Sequence, residues 1–152
     1  MMELSLVLSP DDDTHMQLTP LIAVHMSAAI AAVVIGPLVL WARLGQHVRP
    51  WLHRALGYAW TTLMVVASVS AIFIRDFNLP NIWGYTPIHL LIPVTLLSLF
   101  FAFRALAQRN LAKHRRIMQT LYLSACIVAG AFTLLPSRYL GQLIWHEWLA
   151  WY

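Results

Sequence analysis

Four long apolar runs constrain the fold of this chain more than any other feature. They cover about residues 18–42, 55–74, 88–107 and 117–135. A helix of roughly 20 residues, rising about 1.5 Å per residue, crosses the hydrocarbon core of a bilayer. Because lipid offers no hydrogen-bond partners to the backbone, each run is expected to form a helix. The sequence therefore predicts an all-α integral membrane protein, a four-helix antiparallel bundle with short connections.

The composition favours a membrane protein over a soluble one. Hydrophobic residues make up 60% of the chain and charged residues 11%, far from the averages of soluble domains. In a soluble domain the net charge of +4 would favour a nucleic-acid partner, but here the basic residues stand at the ends of the apolar runs and indicate topology. The expected partner is the lipid bilayer, and no nucleic acid is expected. The N-terminus has an acidic run and no basic region, so the first run is predicted to be an uncleaved anchor.

The basic residues are distributed unevenly between the two sides of the predicted bundle. Eight of the ten Lys and Arg residues lie in or beside the first and third connections, namely Arg43, Arg49, Arg54, Arg104, Arg109, Lys113, Arg115 and Arg116. By the positive-inside rule these connections face the cytoplasm. Both termini are therefore predicted to be periplasmic, in a protein of the cell inner membrane.

The chain divides into three predicted parts. Residues 1–17 form an outward segment, residues 18–137 form the membrane domain, and residues 138–152 form a C-terminal interfacial helix. One face of that last helix suits the aromatic belt at the outer interface. It carries three tryptophans, Trp145, Trp148 and Trp151.

Each apolar run carries or borders one histidine: His25, His53, His89 and His114. An ionisable side chain in or beside a membrane span is expensive and usually marks function, and imidazole is a strong haem and metal ligand. As the chain crosses back and forth, His25 and His89 fall near the outward face, and His53 and His114 near the inward face. If the helices stand in chain order around a square, each pair lies on diagonal helices and can clamp a planar ligand. The pattern favours two haem b groups, one near each face.

Small residues accompany these histidines on the predicted helix faces. A porphyrin needs room between helices, but small residues on membrane helices also mark close packing, so both interpretations stay open at this point. The residues are Ala28, Ala29, Ala32 and Gly36 after His25, Gly57 after His53, and Ser124, Ala125, Ala129 and Gly130 in the fourth run. Met26 and Met118 offer alternative haem ligands, although core filling is the commoner role of methionine.

Five arginines are placed to meet the anionic propionates of a haem. Arg54, Arg115 and Arg116 adjoin the inner histidines, where positive-inside topology alone also explains them. Arg75 and Arg138 stand on the outward side, where topology disfavours them. These arginines and the four histidines are the predicted cofactor-binding residues. The histidines are the predicted ligands of the haem iron, and no catalytic residue is predicted.

Other chemistries find little support in the sequence. The lone Cys126 excludes an intramolecular disulfide and a cysteine-based metal cluster. The chain has no nucleophile with a base, Gly-rich phosphate loop, paired carboxylates or HExxH motif. The apolar runs also lack acidic residues, which disfavours carboxylate-based proton or cation transport. The remaining histidines, His15, His47 and His146, lie outside the runs and stay unassigned.

Several longer stretches carry a family resemblance. The histidine of the first run is followed by Gly36-Pro37, LHRALGYAW at 52–60 opens the second run, His89 opens the third, and HRRIMQTLY at 114–122 opens the fourth. In these stretches the chain resembles the bacterial membrane proteins grouped as domain of unknown function family 2306, over about residues 25–122. That family has no settled activity to carry over.

More distantly, the arrangement is similar to the di-haem cytochrome b proteins of the 561-nm type, in which paired histidines on neighbouring helices hold one haem near each face. Carried onto this chain, the resemblance implies the pairs His25 with His89 and His53 with His114, in four spans rather than the six of that family. The chain is also similar in outline to a small four-helix group associated with haem-copper oxidase assembly. That similarity implies a different function for the same histidines.

Three functional hypotheses follow. The first is an integral-membrane b-type cytochrome-like protein, an electron-transfer or oxidoreductase component between quinol and a periplasmic redox partner. The second is a non-catalytic membrane subunit or assembly factor that handles haem or copper for a respiratory oxidase. The third is a quinone-binding subunit whose site is formed by Trp60, Tyr85 and Tyr122 with one histidine. Each is compatible with a respiratory complex or an oligomer.

Overall fold

The computed structural model describes residues 19–43, 49–75, 82–135, 141 and 144. Within those ranges the principal helices are α1 (Pro20–Trp41), α2 (Pro50–Phe73), α3 (Leu91–Ala107) and α4 (Leu111–Thr133), and a short 3-10 helix (Pro87–Leu90) leads into α3. The same ranges contain one isolated bridge, between Ile82 and Tyr85, and no strand. The all-α prediction is confirmed for them. The predicted outward segment and the interfacial helix with its three tryptophans lie outside the described residues, apart from residues 141 and 144.

Three helices in the described part of the chain are long and apolar enough to cross a membrane. They are Pro20–Trp41, Pro50–Phe73 and Pro87–Ala107, with mean hydropathies of 2.2, 1.6 and 2.1. The helix α4 is not among them, because its first turns carry three cations and its apolar part ends with the helix at Thr133. Three of the four predicted spans are therefore confirmed as candidates.

Two helices begin earlier than the apolar runs predict. The helix α2 begins at residue 50 rather than 55, and α4 at residue 111 rather than 117. Pro50 suits a first helical position because it lacks the N–H that would have no partner there. At α4 the side chain of Asn110 accepts the backbone N–H of Lys113 at 3.0 Å. His53 and His114 consequently lie in the first turns of helices.

The helices α1 and α2 pack antiparallel. His25, near the start of α1, contacts Ala67 and Ser70 near the end of α2, and His53, near the start of α2, contacts Val39 near the end of α1. The most extensive contacts join α1 to α2 and α3 to α4, while α2 with α3 and α1 with α4 touch less. Neighbouring helices therefore follow the order of the chain.

Burial in this protein is distributed as expected for a molecule surrounded by lipid. Ala32, Ala102, Ser68 and Thr95 are buried between helices. Large apolar side chains lie exposed on the outer faces, among them Val34, Phe73, Phe100 and Ile127. Because lipid tails are as apolar as these side chains, helices associate through close packing of small residues and hydrogen bonds. The structure thus supports the membrane assignment independently of hydropathy.

Trp60 lies at the centre of the core and is 3% exposed. Its indole Nε1 donates a hydrogen bond to the backbone carbonyl of Ala32, across to α1, at 3.0 Å. The core cluster takes residues from all four α-helices: Ala32, Val39, Trp60, Met64, Leu99, Leu121 and Ala125. Ala32, one of the small residues that follow His25, therefore serves helix packing.

A second contact joins α1 to α4 through Gly36, Pro37 and Tyr122. Pro37 lies inside α1 and has no N–H to donate to Val33, one turn earlier. The hydroxyl of Tyr122 donates to that Val33 carbonyl at 3.2 Å, as a neighbouring helix often does for a proline-containing membrane helix. Gly36 makes room for the ring, since a Cβ there would collide with it. Gly36 is thus a packing residue as well.

The turn between α3 and α4 is tight. The N–H of Asn110 donates to the carbonyl of Ala105 at 2.9 Å, and the N–H of Arg109 to that of Leu106 at 3.0 Å. This is the Schellman pattern, whose left-handed position usually holds glycine. Here Arg109 occupies it with φ of 56°.

Replacing Arg109 by glycine is expected to raise the free energy of unfolding by about 1 kcal/mol, because the left-handed conformation is costly for a residue with a Cβ. Chemical unfolding in detergent measures the change. Arg109→Ala removes the same charge and keeps the Cβ, so it should give no such gain. Equal gains from both variants would attribute the effect to charge instead of the backbone.

Candidate functional site

Three of the four predicted histidine ligands lie at the two ends of α2, and the fourth lies at the start of α4. His25 contacts Ala67 in the last turns of α2, and His89 contacts Ile74, the residue that caps the C-terminal end of that helix. His53 lies in the first turn of α2 and contacts the end of α1. His114 opens α4 and contacts the end of α3. All four side chains are half-buried.

Three of these histidines share one hydrogen-bonding arrangement. In each, Nδ1 lies within hydrogen-bond distance of a backbone carbonyl on the neighbouring helix. Since a carbonyl only accepts, Nδ1 donates and the neutral ring keeps its lone pair on Nε2. Within the described ranges none of these Nε2 atoms makes a hydrogen bond. The partners are Ala67 for His25 at 2.9 Å, Val39 for His53 at 3.0 Å, and Ala102 for His114 at 2.9 Å.

His89 has the opposite arrangement. The backbone N–H of Thr86 donates to its Nδ1 at 3.1 Å, and its Nε2 donates to the carbonyl of Ile74 at 3.0 Å. The Thr86 hydroxyl lies 3.2 Å from the same Nδ1, and the two residues form a capping box at the start of the 3-10 helix. Both ring nitrogens of His89 are thus engaged, and the side chain ties the end of α2 to the start of the next helix.

Arg75 stabilises the turn that precedes the 3-10 helix. Its Nη1 donates to the carbonyl of Trp83 at 2.9 Å, and its guanidinium lies 3.8 Å from the centre of the Tyr85 ring. Trp83 and Gly84 both have positive φ, 58° and 81°, as a tight two-residue turn requires. These contacts give Arg75 a structural role, whereas the sequence predicted only an interaction with a haem propionate.

The inner arginines Arg54, Arg115 and Arg116 are exposed, close in sequence to His53 and His114. All six acidic residues of the chain lie outside the described ranges. Arg138 and the unassigned His15, His47 and His146 lie outside the described residues.

The four histidines do not form one cluster in the described part of the chain. In the part of the chain that the structure describes, no three His, Cys, Asp or Glu side chains are grouped to hold a metal ion. A zinc-type site needs three or four protein ligands, whereas a haem takes only two axial ligands from the protein.

The sequence did not predict that the polar atoms of Trp60 and Tyr122 join helices through hydrogen bonds. Their rings lie 6.3 Å apart, and both donate to carbonyls of α1, those of Ala32 and Val33. Tyr85 lies instead against the edge of the His89 ring at the outer end, 5.0 Å between ring centres. The three aromatic residues predicted for a quinone site therefore do not form one site. Pro37 was the available signal, because it leaves a carbonyl of α1 in need of a donor.

The comparisons with known proteins agree with the membrane architecture. A family model described as a predicted membrane protein, DUF2306, matches residues 22–151. No curated protein and no solved structure matches the chain. The match includes all four histidines, the Gly36-Pro37 pair and both basic helix starts. Because it covers most of the chain, the protein belongs to the DUF2306 family of predicted membrane proteins.

Proposed function

We propose that this protein is an integral-membrane b-type cytochrome-like protein that carries electrons across the inner membrane through two bis-histidine haems. One observation carries the proposal: His25, His53 and His114 each use Nδ1 on a backbone carbonyl and keep Nε2 for another partner. Metal-binding histidines usually have this arrangement, which fixes the tautomer and the ring orientation.

The inner pair fits a haem best. His53 and His114 present the same tautomer from α2 and α4, which are diagonal helices when neighbours follow chain order. Gly57, one turn after His53, has no atom within 4 Å of the position of a Cβ, so space adjoins this ligand. The exposed Arg54, Arg115 and Arg116 would meet the propionates.

The outer pair, His25 and His89, would have to rearrange before it could hold a haem. His25 keeps Nε2 for a ligand, whereas His89 donates its Nε2 hydrogen to Ile74. To ligate iron, His89 has to release that carbonyl, and Arg75 has to leave Trp83 to reach a propionate. We therefore expect the outer haem to bind more weakly than the inner one. Arg138 is the second proposed cation of the outer site.

A bound haem supplies reversible one-electron transfer, and the chain's own residues determine where and how readily it occurs. The histidines would hold the two groups, packing among the helices would exclude water, and the arginines would compensate negative charge. We place α4 as the fourth span of an antiparallel bundle, with both termini periplasmic. The proposed redox partners are quinol and a periplasmic protein or respiratory complex.

The test is to purify the protein in mild detergent and record reduced-minus-oxidised spectra with a haem-to-protein ratio. We expect two haems per chain, and about one after His53→Ala or His114→Ala, since a single ligand holds a haem weakly. His25→Ala and His89→Ala are each expected to remove the other haem. His47→Ala, which changes a histidine outside the four apolar runs, should keep both.

Two outcomes would overturn the proposal. Retention of two haems in all four single variants would exclude these residues as ligands. A colourless protein, even after haem is supplied during expression, would exclude the cofactor itself.

A second candidate is a non-catalytic membrane subunit or assembly factor that handles haem or copper for a respiratory oxidase. It is favoured by the core, in which Trp60 packs with apolar residues from all four helices. In this case the purified protein lacks stoichiometric haem and co-purifies with an oxidase component. A quinone-binding subunit has less support, since Tyr85 lies apart from Trp60 and Tyr122.

A further inference from the structure

A cavity of about 240 Å³ lies where α3 meets α4, at the end of the α3 span. A space of about 10–15 Å³ already admits one water molecule, so this cavity has room for a polyatomic group. Its lining combines two cations, one amide and two apolar side chains: Arg104, Lys113, Gln108, Phe101 and Ala105. A polar cavity with two positive charges at the end of a membrane span calls for an anionic occupant.

Two cations line this cavity without an acidic lining residue beside them. Arg104 and Lys113 are both exposed, and Ala105 is buried. Like charges that line one cavity repel each other, and an anion between them converts repulsion into attraction.

The position of Lys113 adds to this imbalance. It lies in the first turn of α4, which contains no acidic residue. The positive end of the helix dipole disfavours a cation there and favours an anion. An anion held by Lys113 and Arg104 would therefore also stabilise the start of α4.

We propose that this cavity binds a phosphate group, presented at the membrane surface by an anionic phospholipid of the phosphatidylglycerol type. The Arg104 guanidinium offers paired N–H donors to the phosphate oxygens, Lys113 adds a further charge, and Gln108 suits the glycerol hydroxyls. Phe101 continues onto the exposed apolar face of α3, where the acyl chains would lie. Basic pockets between membrane helices are known to take such head groups. The proposal does not depend on haem binding.

The experiment uses the full chain in neutral detergent and measures the affinity for short-chain phosphatidylglycerol and phosphatidylcholine with identical acyl chains. We expect a preference for phosphatidylglycerol that Arg104→Gln with Lys113→Gln lowers by about tenfold or more. The matched control, Arg43→Gln with Arg109→Gln, removes two exposed charges from the same side but outside the cavity. The preference of this control variant for phosphatidylglycerol should stay within about threefold of that of the unchanged protein.

Lys113→Gln alone changes one exposed side chain, and it keeps the test valid if the double variant fails to fold. Inorganic phosphate is the second ligand: competition by phosphate at concentrations similar to those of the lipid would support the phosphate site and identify free phosphate as its source. An equal loss in the pocket variants and the control would overturn the proposal, because it would reduce the effect to overall charge. So would equal binding of both lipids by the unchanged protein.

Discussion

Replacing Trp60 by alanine is expected to lower the free energy of unfolding by about 3–5 kcal/mol, the usual range for a buried tryptophan. Trp60 is 3% exposed and touches a core built from all four helices. The substitution removes that packing and leaves a void that rigid helices fill only in part. It also removes the indole donor from the Ala32 carbonyl. Unfolding in mixed micelles with increasing SDS measures the change.

Trp51 provides the matched control, since it lies on the same helix and is 66% exposed. Trp51→Ala should change the stability by less than about 1 kcal/mol. Trp60→Phe keeps most of the ring and loses the hydrogen bond, with an expected cost of about 1–2 kcal/mol. If Trp60→Ala lowered the free energy of unfolding no more than Trp51→Ala, the burial of Trp60 in the core would be contradicted.

The second large effect is expected from Gly36→Leu. A side chain at this position collides with the Tyr122 ring, and overpacking of this kind costs about 1–3 kcal/mol. Displacing the ring also breaks the bond from Tyr122 to the Val33 carbonyl, which adds about 1 kcal/mol. Because α1 and α4 touch over a small area, we expect the variant to separate these two helices. Disulfide cross-linking between cysteines introduced on α1 and α4 measures the separation.

Two glycines elsewhere control for the change of residue type. Gly130 has no atom within 4 Å of a Cβ position, so leucine there should leave the cross-linking efficiency unchanged. Gly57 has the same open surroundings, but it adjoins the proposed haem ligand His53 and serves only for the protein without haem. Combining Gly36→Leu with Tyr122→Ala removes the ring with which the leucine side chain collides. The double variant should therefore be less destabilised than the sum of the single changes. Strict additivity would show that the collision is not the cause.

Hydropathy predicted the helices but not their starts. The apolar runs locate the lipid-crossing part of α2 and α4, whereas the helices begin several residues earlier, at Pro50 and beyond the Asn110 cap. Capping depends on side-chain hydrogen bonds and on φ, neither of which contributes to hydropathy. Because the helices begin earlier, His53 and His114 lie within α2 and α4 and not in the connections before them.

The placement of the histidines at the two ends was predictable from the alternating direction of the helices, but their hydrogen bonds were not. The partners of His25, His53 and His114 are backbone carbonyls, which have no side-chain signature in a sequence. His89 differs because a threonine three residues earlier lets it cap a 3-10 helix. Arg75 pairs with a carbonyl and a ring of its own loop, again contacts that depend on local backbone geometry.

The missing hydrogen bond at Pro37 has a mechanical consequence for α1. A helix bends most easily where its backbone ladder is interrupted, and here the interruption falls between the His25 half of α1 and the half that contacts His53. The group that fills the gap, the Tyr122 hydroxyl, belongs to α4. A shift of α4 that withdraws this hydroxyl is therefore expected to make α1 easier to bend near Pro37. The angle between the His25 end and the opposite end of α1 would then depend on the position of α4.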